Sequence, residues 1–172
     1  GRIVVTESSS FAAVTSFSAA SLERPYSVTG EGAQSCAIGA PSCDGSHRLA
    51  MVRAAIADQP SFAVDDREIR RDGPSYTVTT LRELRAEAPA RSLCLLMGMD
   101  AFLGLPQWHD WRDLLELAHV VVAHRPGWSA PRDGTLGELF AARGTQRVED
   151  LHESPAGRIH VRPVTQLEIA ST

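Results

Sequence analysis

The chain has 172 residues, 43% hydrophobic and 22% charged, the proportions of one soluble globular domain large enough to bury a sizeable core. Its formal net charge of −4 argues against a general nucleic-acid binder, which would carry a basic face. All 17 basic residues are arginine, which excludes Schiff-base chemistry and lysine-dependent phosphate loops.

No apolar run reaches the roughly 18 residues of a membrane span. The start lacks the positive patch and continuous apolar core of a secretory signal. A cytoplasmic protein with neither membrane nor nucleic-acid partners is expected. Cys94 lies in an apolar run and reads as a buried small hydrophobe. Cys36 and Cys43, with His47 nearby, fit no compact zinc spacing, so they imply no metal site.

Residues 1–46 hold ten of the 16 serines and six charged residues, whereas the remaining 126 residues carry 32 charges. This divides the chain into an atypical Ser/Ala/Gly-rich segment, 1–46, and a regular domain, 47–172. Within the first, Arg2 to Val5 reads as a short strand, and Thr6 to Ser21 follows neither a period of 2 nor one of 3.6. Gly30-Glu31-Gly32 has no strand before it and no third glycine, so it is no phosphate loop.

From His47 the pattern is regular. His47 to Gln59 predicts a helix with Leu49, Val52, Ala55 and Ile56 on one face, capped by Ser46 and stopped by Pro60. Ser61 to Glu68 alternates as a strand. Tyr76 to Glu87 predicts a second helix, with Val78, Leu81 and Leu84 inward and Pro89 beyond its end. Ser92 to Met97 and His119 to Ala123 are continuous apolar runs, the mark of strands buried on both faces. Between them, Trp108 to Leu117 predicts a third helix. Thr135 to Arg143 reads as a short amphipathic helix and Arg158 to Pro163 as a last strand. The alternation implies an α/β fold, a Rossmann-like parallel sheet with helices on both faces and an aberrant first unit. In such sheets ligands sit outside the carboxyl ends of the strands. Gly98-Met99-Asp100 and Arg125-Pro126-Gly127 follow directly after the two apolar runs.

Several residues in those loops could carry chemistry. Pro74-Ser75-Tyr76-Thr77 opens a helix whose free first-turn amides attract anions, or serves as a plain N-cap made by Ser75 or Thr77. Trp108 and Trp111 could stack on a pyridine or purine ring, or fill the core. His109, between them, is a lone histidine of the kind that is more often structural than catalytic. Asp100 could accept hydrogen bonds from a ribose or cap the turn after it. Arg125 could hold a phosphate or pair on the surface.

In combination these segments are specific. Gly73-Pro74-Ser75-Tyr76-Thr77, then Met97-Gly98-Met99-Asp100-Ala101-Phe102, then Leu105-Pro106-Gln107-Trp108-His109-Asp110-Trp111, then Ala123-His124-Arg125-Pro126-Gly127-Trp128 stand in order. With Asp65 to Arg71 before them, they resemble the nicotinate-nucleotide adenylyltransferases. The resemblance covers about 47–128 and returns at Ile169-Ala170-Ser171-Thr172, similar to the beginning of a phosphate-binding motif whose arginine would come next.

The resemblance implies adenylyl transfer from ATP to nicotinate mononucleotide, giving deamido-NAD and pyrophosphate, with Mg2+ accompanying ATP as co-substrate. The reaction is an in-line attack without a covalent enzyme intermediate, driven by positioning and charge stabilisation. Tyr76 and Thr77 would lie at the nicotinate carboxylate, with backbone amides of Thr77 and His109 as donors, and Trp108 would stack on the pyridine ring. Gly98 and Asp100 would line the dinucleotide path, Arg125 would face it from the next strand end, and Ser171 and Thr172 would sit near the ATP phosphates.

The family's glycine- and histidine-rich loop after its first strand has no counterpart. Thr6-Glu7-Ser8-Ser9-Ser10-Phe11 stands in its place, and no histidine precedes His47. No catalytic residue is therefore assigned, and little or no adenylyl transfer is expected, since loss of one transition-state donor alone can cost ~10²–10³ in rate. A pyridine-nucleotide-binding remnant without turnover and an unstable product of a damaged gene are the alternatives. The near-normal length of residues 1–46, with lost identity, suggests a shifted reading frame corrected near Ser46, or a replaced segment.

Overall fold

The computed structural model describes residues 2–6, 13–16, 45–72, 74–124 and 131–164. Seven strands form one sheet: β1 (Arg2–Thr6), β2 (Ala13–Ser16), β3 (Phe62–Asp65), β4 (Leu93–Gly98), β5 (His119–His124), β6 (Gly144–Thr145) and β7 (Ile159–Pro163). Their order is β3-β1-β2-β4-β5-β7-β6. Every pairing is parallel except those of β2, which runs antiparallel to β1 (Val14 opposite Val4) and to β4 (Val14 opposite Leu95). The fold is thus the expected α/β, Rossmann-like sheet, and its first unit departs from the β–α–β pattern: β1 is followed by an antiparallel strand. Ala13–Ser16 falls within Thr6–Ser21, where no strand is predicted. Its pairing partners on both sides define it, since a stretch this short carries no visible period.

Seven α-helices connect the strands among the described residues: α1 (Gly45–Ala55), α2 (Arg67–Arg70), α3 (Thr77–Glu87), α4 (Met99–Leu103), α5 (Leu114–Leu117), α6 (Gly134–Arg143) and α7 (Asp150–Glu153). Alternation along β4 shows how both faces are covered. Leu93, Leu95 and Met97 join one core with Val78, Leu81 and Leu84 of α3, Leu114 and Leu115 of α5, and Leu136 of α6. Cys94 and Leu96 point the other way, to Val121 and Leu151 of α7. Side chains on a strand alternate between faces, so two cores on one strand mean that layers lie on both sides. Burial of each large aliphatic contributes ~1.5–3 kcal/mol.

The expected elements are mostly present, with shifted ends. α1 begins at Gly45, so Ser46 lies inside it and is not its cap; Leu49 is buried, Val52 and Ile56 are half-buried, and Ala55 is exposed. The strand expected over Ser61–Glu68 stops at Asp65, because Asp65 accepts the Arg67 backbone N–H (3.0 Å) and turns the chain into α2. The helix expected over Trp108–Leu117 is broken. Trp108 is extended, Asp110 is left-handed (φ 47°, ψ 36°), and only a 3-10 turn, Trp111–Asp113, leads into α5.

At the amino end of β5, His119 is fully buried. Its Nδ1 accepts the Arg158 backbone N–H at 3.0 Å, so the ring proton sits on Nε2 and is donated to the Ser154 carbonyl at 2.9 Å. Burial pushes the His119 pKa down, with the Ser154 carbonyl opposing and the nearby charges of Arg85, Arg158 and His152 adding to the lowering.

Candidate active site

α3 returns the chain from the carboxyl end of β3 to the amino end of β4, so its own amino terminus lies at the carboxyl edge of the sheet. Tyr76 precedes it in extended conformation (φ −111°, ψ 138°) and no side chain caps the helix. This corrects the N-cap reading of Ser75 and Thr77. Thr77 is the first helical residue, and the Ser75 hydroxyl accepts a hydrogen bond from Arg71 Nη1 (2.5 Å). With no acid in the first turn either, the backbone amides of Thr77 and Val78 stay available to an anion among the described residues, while the Thr79 N–H donates to the Tyr76 carbonyl at 3.0 Å.

A charged network braces this helix along its length. Arg67 binds Asp65 (2.6 Å) and Glu87 (3.1 Å), while Arg71 reaches Glu83 (2.9 Å). The Thr80 hydroxyl donates to the buried Glu68 carboxylate at 2.7 Å. Burial alone would raise the Asp65 pKa, but the side-chain and backbone hydrogen bonds from Arg67 and its charge outweigh that and hold it below the usual 3.8. The dense alternation of acids and arginines in Asp65–Arg71 is the sequence signal for this bracing.

Opposite stands the loop after β4. Gly98 ends the strand, extended and exposed, and a Cβ there would meet nothing within 4 Å among the described residues. Asp100 lies in the first turn of α4, exposed, and its carboxylate makes no hydrogen bond or ion pair among the described residues. The capping alternative for Asp100 is thereby corrected, since no side chain caps α4. Phe102 of α4 is fully buried and anchors the loop to the core.

The two sides meet through Tyr76 and His109, whose rings stack with centroids 4.2 Å apart and planes at 27°. Tyr76 is 42% exposed. The His109 side chain is 51% exposed, with Nε2 3.6 Å from Asp110 Oδ2. Their chain neighbours, Thr77 and Trp108, are therefore brought to the same edge. Trp108 and Trp111 are both half-buried against the core, and the Arg112 guanidinium lies 4.6 Å from the centre of the Trp111 ring. Six of the named site residues, Tyr76, Thr77, Gly98, Asp100, Trp108 and His109, thus belong to loops and helix starts at one edge of the sheet. Arg125, Ser171 and Thr172 lie outside the described residues.

Arg82 was not among the residues singled out from the sequence. It projects from α3 and binds both Asp110 (3.1 Å) and Asp113 (2.5 Å). Its partners lie 28 and 31 positions away, beyond any local pattern.

The chain is 48% identical over 132 residues to the probable nicotinate-nucleotide adenylyltransferase of Aeromonas hydrophila subsp. hydrophila, covering 77% of this chain and 62% of the relative. It is 48% identical over 132 residues to the protein of that name from Halorhodospira halophila (77% and 61%). For the protein of that name from Hahella chejuensis the identity is 44% over 134 residues (77% and 61%). The chain therefore spans about three fifths of the length of these relatives. Residues 32–166, which take in α1 through β7 and every described site residue, match the cytidylyltransferase-like family. The match spans most of the chain and its α/β sheet fits it, so the chain belongs to that family.

Proposed function

We propose that this chain serves adenylyl transfer from ATP to nicotinate mononucleotide, giving deamido-NAD and pyrophosphate, and that its described residues supply the pyridine-nucleotide half of the site. The observation that carries this is the Tyr76–His109 stack, which sets the free amides at the start of α3 beside the Trp108 loop. A nicotinate carboxylate would be bound by the backbone amides of Thr77 and His109, an arrangement suited to an anion without lysine. The indole of Trp108 would lie against the pyridine ring, and Gly98 leaves room for the nucleotide to pass. Asp100, whose carboxylate makes no hydrogen bond or ion pair among the described residues, would accept from ribose hydroxyls.

Among the described residues no group of three or more potential metal ligands gathers. Mg2+ would enter on the ATP phosphates, whose charge it would screen. Arg125, Ser171 and Thr172 would serve the phosphates. Transfer of this kind would need no covalent bond to the protein; the residues would contribute alignment and charge.

A second reading, a pyridine-nucleotide binder with little turnover, is favoured by one observation: no histidine precedes His47. Two measurements separate the readings. Calorimetric titration with nicotinate mononucleotide should give saturable binding that weakens in the order wild type, Trp108→Phe, Trp108→Ala, the last by about tenfold, as for loss of a stacking partner. No binding by the wild type would overturn both readings. Pyrophosphate release with ATP and Mg2+ then decides between them: turnover at a rate normal for such enzymes (~1–10³ s⁻¹) supports the transferase, and binding without release supports the second.

A further inference from the structure

One helix touches the Trp108–Asp113 loop at two points. At its start, the Tyr76 ring stacks on His109. Further along, Arg82 takes Asp110 Oδ2 at 3.1 Å and Asp113 Oδ2 at 2.5 Å with the same Nη2. Asp110 is the hinge of that loop. It is the only non-glycine residue with positive φ among the described residues (47°), a conformation that L-residues adopt reluctantly and that surrounding contacts must maintain. Asp110 Oδ2 also lies 3.6 Å from His109 Nε2, so one carboxylate links the arginine, the strained turn and the stacked histidine.

We propose that Arg82 is a positioning residue for pyridine-nucleotide recognition. By clamping Asp110 and Asp113 it holds the left-handed turn that lays His109 on Tyr76, and with it the Trp108 ring and the His109 amide over the start of α3. Arg82 itself touches no substrate. The inference rests on the assignment of this edge to nicotinate mononucleotide. All three side chains are roughly half exposed, at 46%, 44% and 54%, so the clamp does little for global stability. Its effect is to select one loop conformation.

The test uses the 172-residue chain with Arg82→Ala, Arg82→Lys and Asp110→Gly, read in two ways. The first needs no ligand: the His109 ring protons should show the upfield ring-current shift of a stacked neighbour, and Arg82→Ala should remove it. The second is titration with nicotinate mononucleotide, whose Kd should rise about fivefold in Arg82→Ala, the equivalent of one exposed charge pair. Binding of ATP alone and the thermal midpoint should stay as in the wild type. Arg82→Lys, a point charge without the planar fork, should recover part of both signals. Glycine adopts positive φ freely, so Asp110→Gly keeps the turn accessible while removing the bridge, and should behave as Arg82→Ala does. An unshifted His109 resonance in Arg82→Ala overturns the proposal. If the wild type binds no nicotinate mononucleotide, the functional assignment fails, and the His109 resonance still decides whether Arg82 sets the loop.

Discussion

Arg85 grips the Leu117 carbonyl with two nitrogens at once, Nε at 3.0 Å and Nη2 at 2.6 Å. Its Nη1 binds the carbonyls of Ala88, Pro89 and Arg91 at 2.6–3.2 Å, and Nη2 also binds that of Pro155 at 2.7 Å. A single side chain thus ties the end of α3, the turn into β4, the end of α5 and the turn before β7. Burial lowers its pKa, but it remains a cation. Arg85→Ala should cost about 2–3 kcal/mol, since five carbonyls, those of Leu117 and Ala88 in part-buried bonds, lose a charged donor together. Arg85→Lys should recover little, because an ammonium cannot reach five carbonyls in a plane. Denaturant unfolding of both variants checks this; parity of Lys with Arg would mean that charge, and not the fork, matters.

The buried neutral His119 predicts an acid-side loss of stability. Its folded pKa lies below the ordinary 6.5, so the unfolded chain takes up a proton that the folded one refuses. The stabilisation is complete above pH 6.5 and declines as the pH falls below it toward the folded value. His119→Gln removes the titration. Thermal midpoints measured from pH 7.5 down to 5 should therefore fall more steeply for the wild type than for this variant, and parallel curves would contradict the assignment.

Asp65 acts at lower pH. Its folded pKa is held below 3.8 against the effect of burial, chiefly through Arg67, so its contribution is complete above that value and is lost as the pH falls through the folded pKa. Arg67→Met would leave the carboxylate part-buried without its main partner. A loss of about 2–3 kcal/mol at pH 7, with an acid-unfolding midpoint moved to higher pH, is the expected outcome.

Gly137 in α6 is required by a close approach. A Cβ there would fall 2.5 Å from the Arg132 carbonyl oxygen, a backbone atom that cannot swing aside. Gly137→Ala should therefore destabilise, despite the better helix propensity of alanine, whereas Gly98→Ala should be neutral for folding because nothing lies within 4 Å. Thermal midpoints of the pair provide the comparison.

The central strands were legible because burial on both faces writes an unbroken apolar run, and Leu93–Gly98 and His119–His124 carry the plainest such runs in the chain. β2 was not, because Ala13–Ser16 is too short for a period and owes its state to β1 and β4 on either side. α7 was missed for the same reason of length. The Trp108–Leu117 stretch has helical spacing, yet its break depends on an arginine 28 positions upstream, which no local pattern reports. At the site, Tyr76 and His109 were each named from the motifs, but their stacking is a tertiary fact. Arg82, Arg71 and Glu68 look like ordinary surface charges until α2, α3 and the loop are brought together.

The antiparallel β2 has a geometric consequence for the edge it interrupts. Neighbouring strands lie about 4.8 Å apart, so an extra strand between β1 and β4 puts their tips roughly 10 Å from one another. Thr6 and Gly98, which end those strands, therefore stand two strand spacings apart. Any molecule held from both must be long enough to cross the added width, and a small one can lean on only one side at a time.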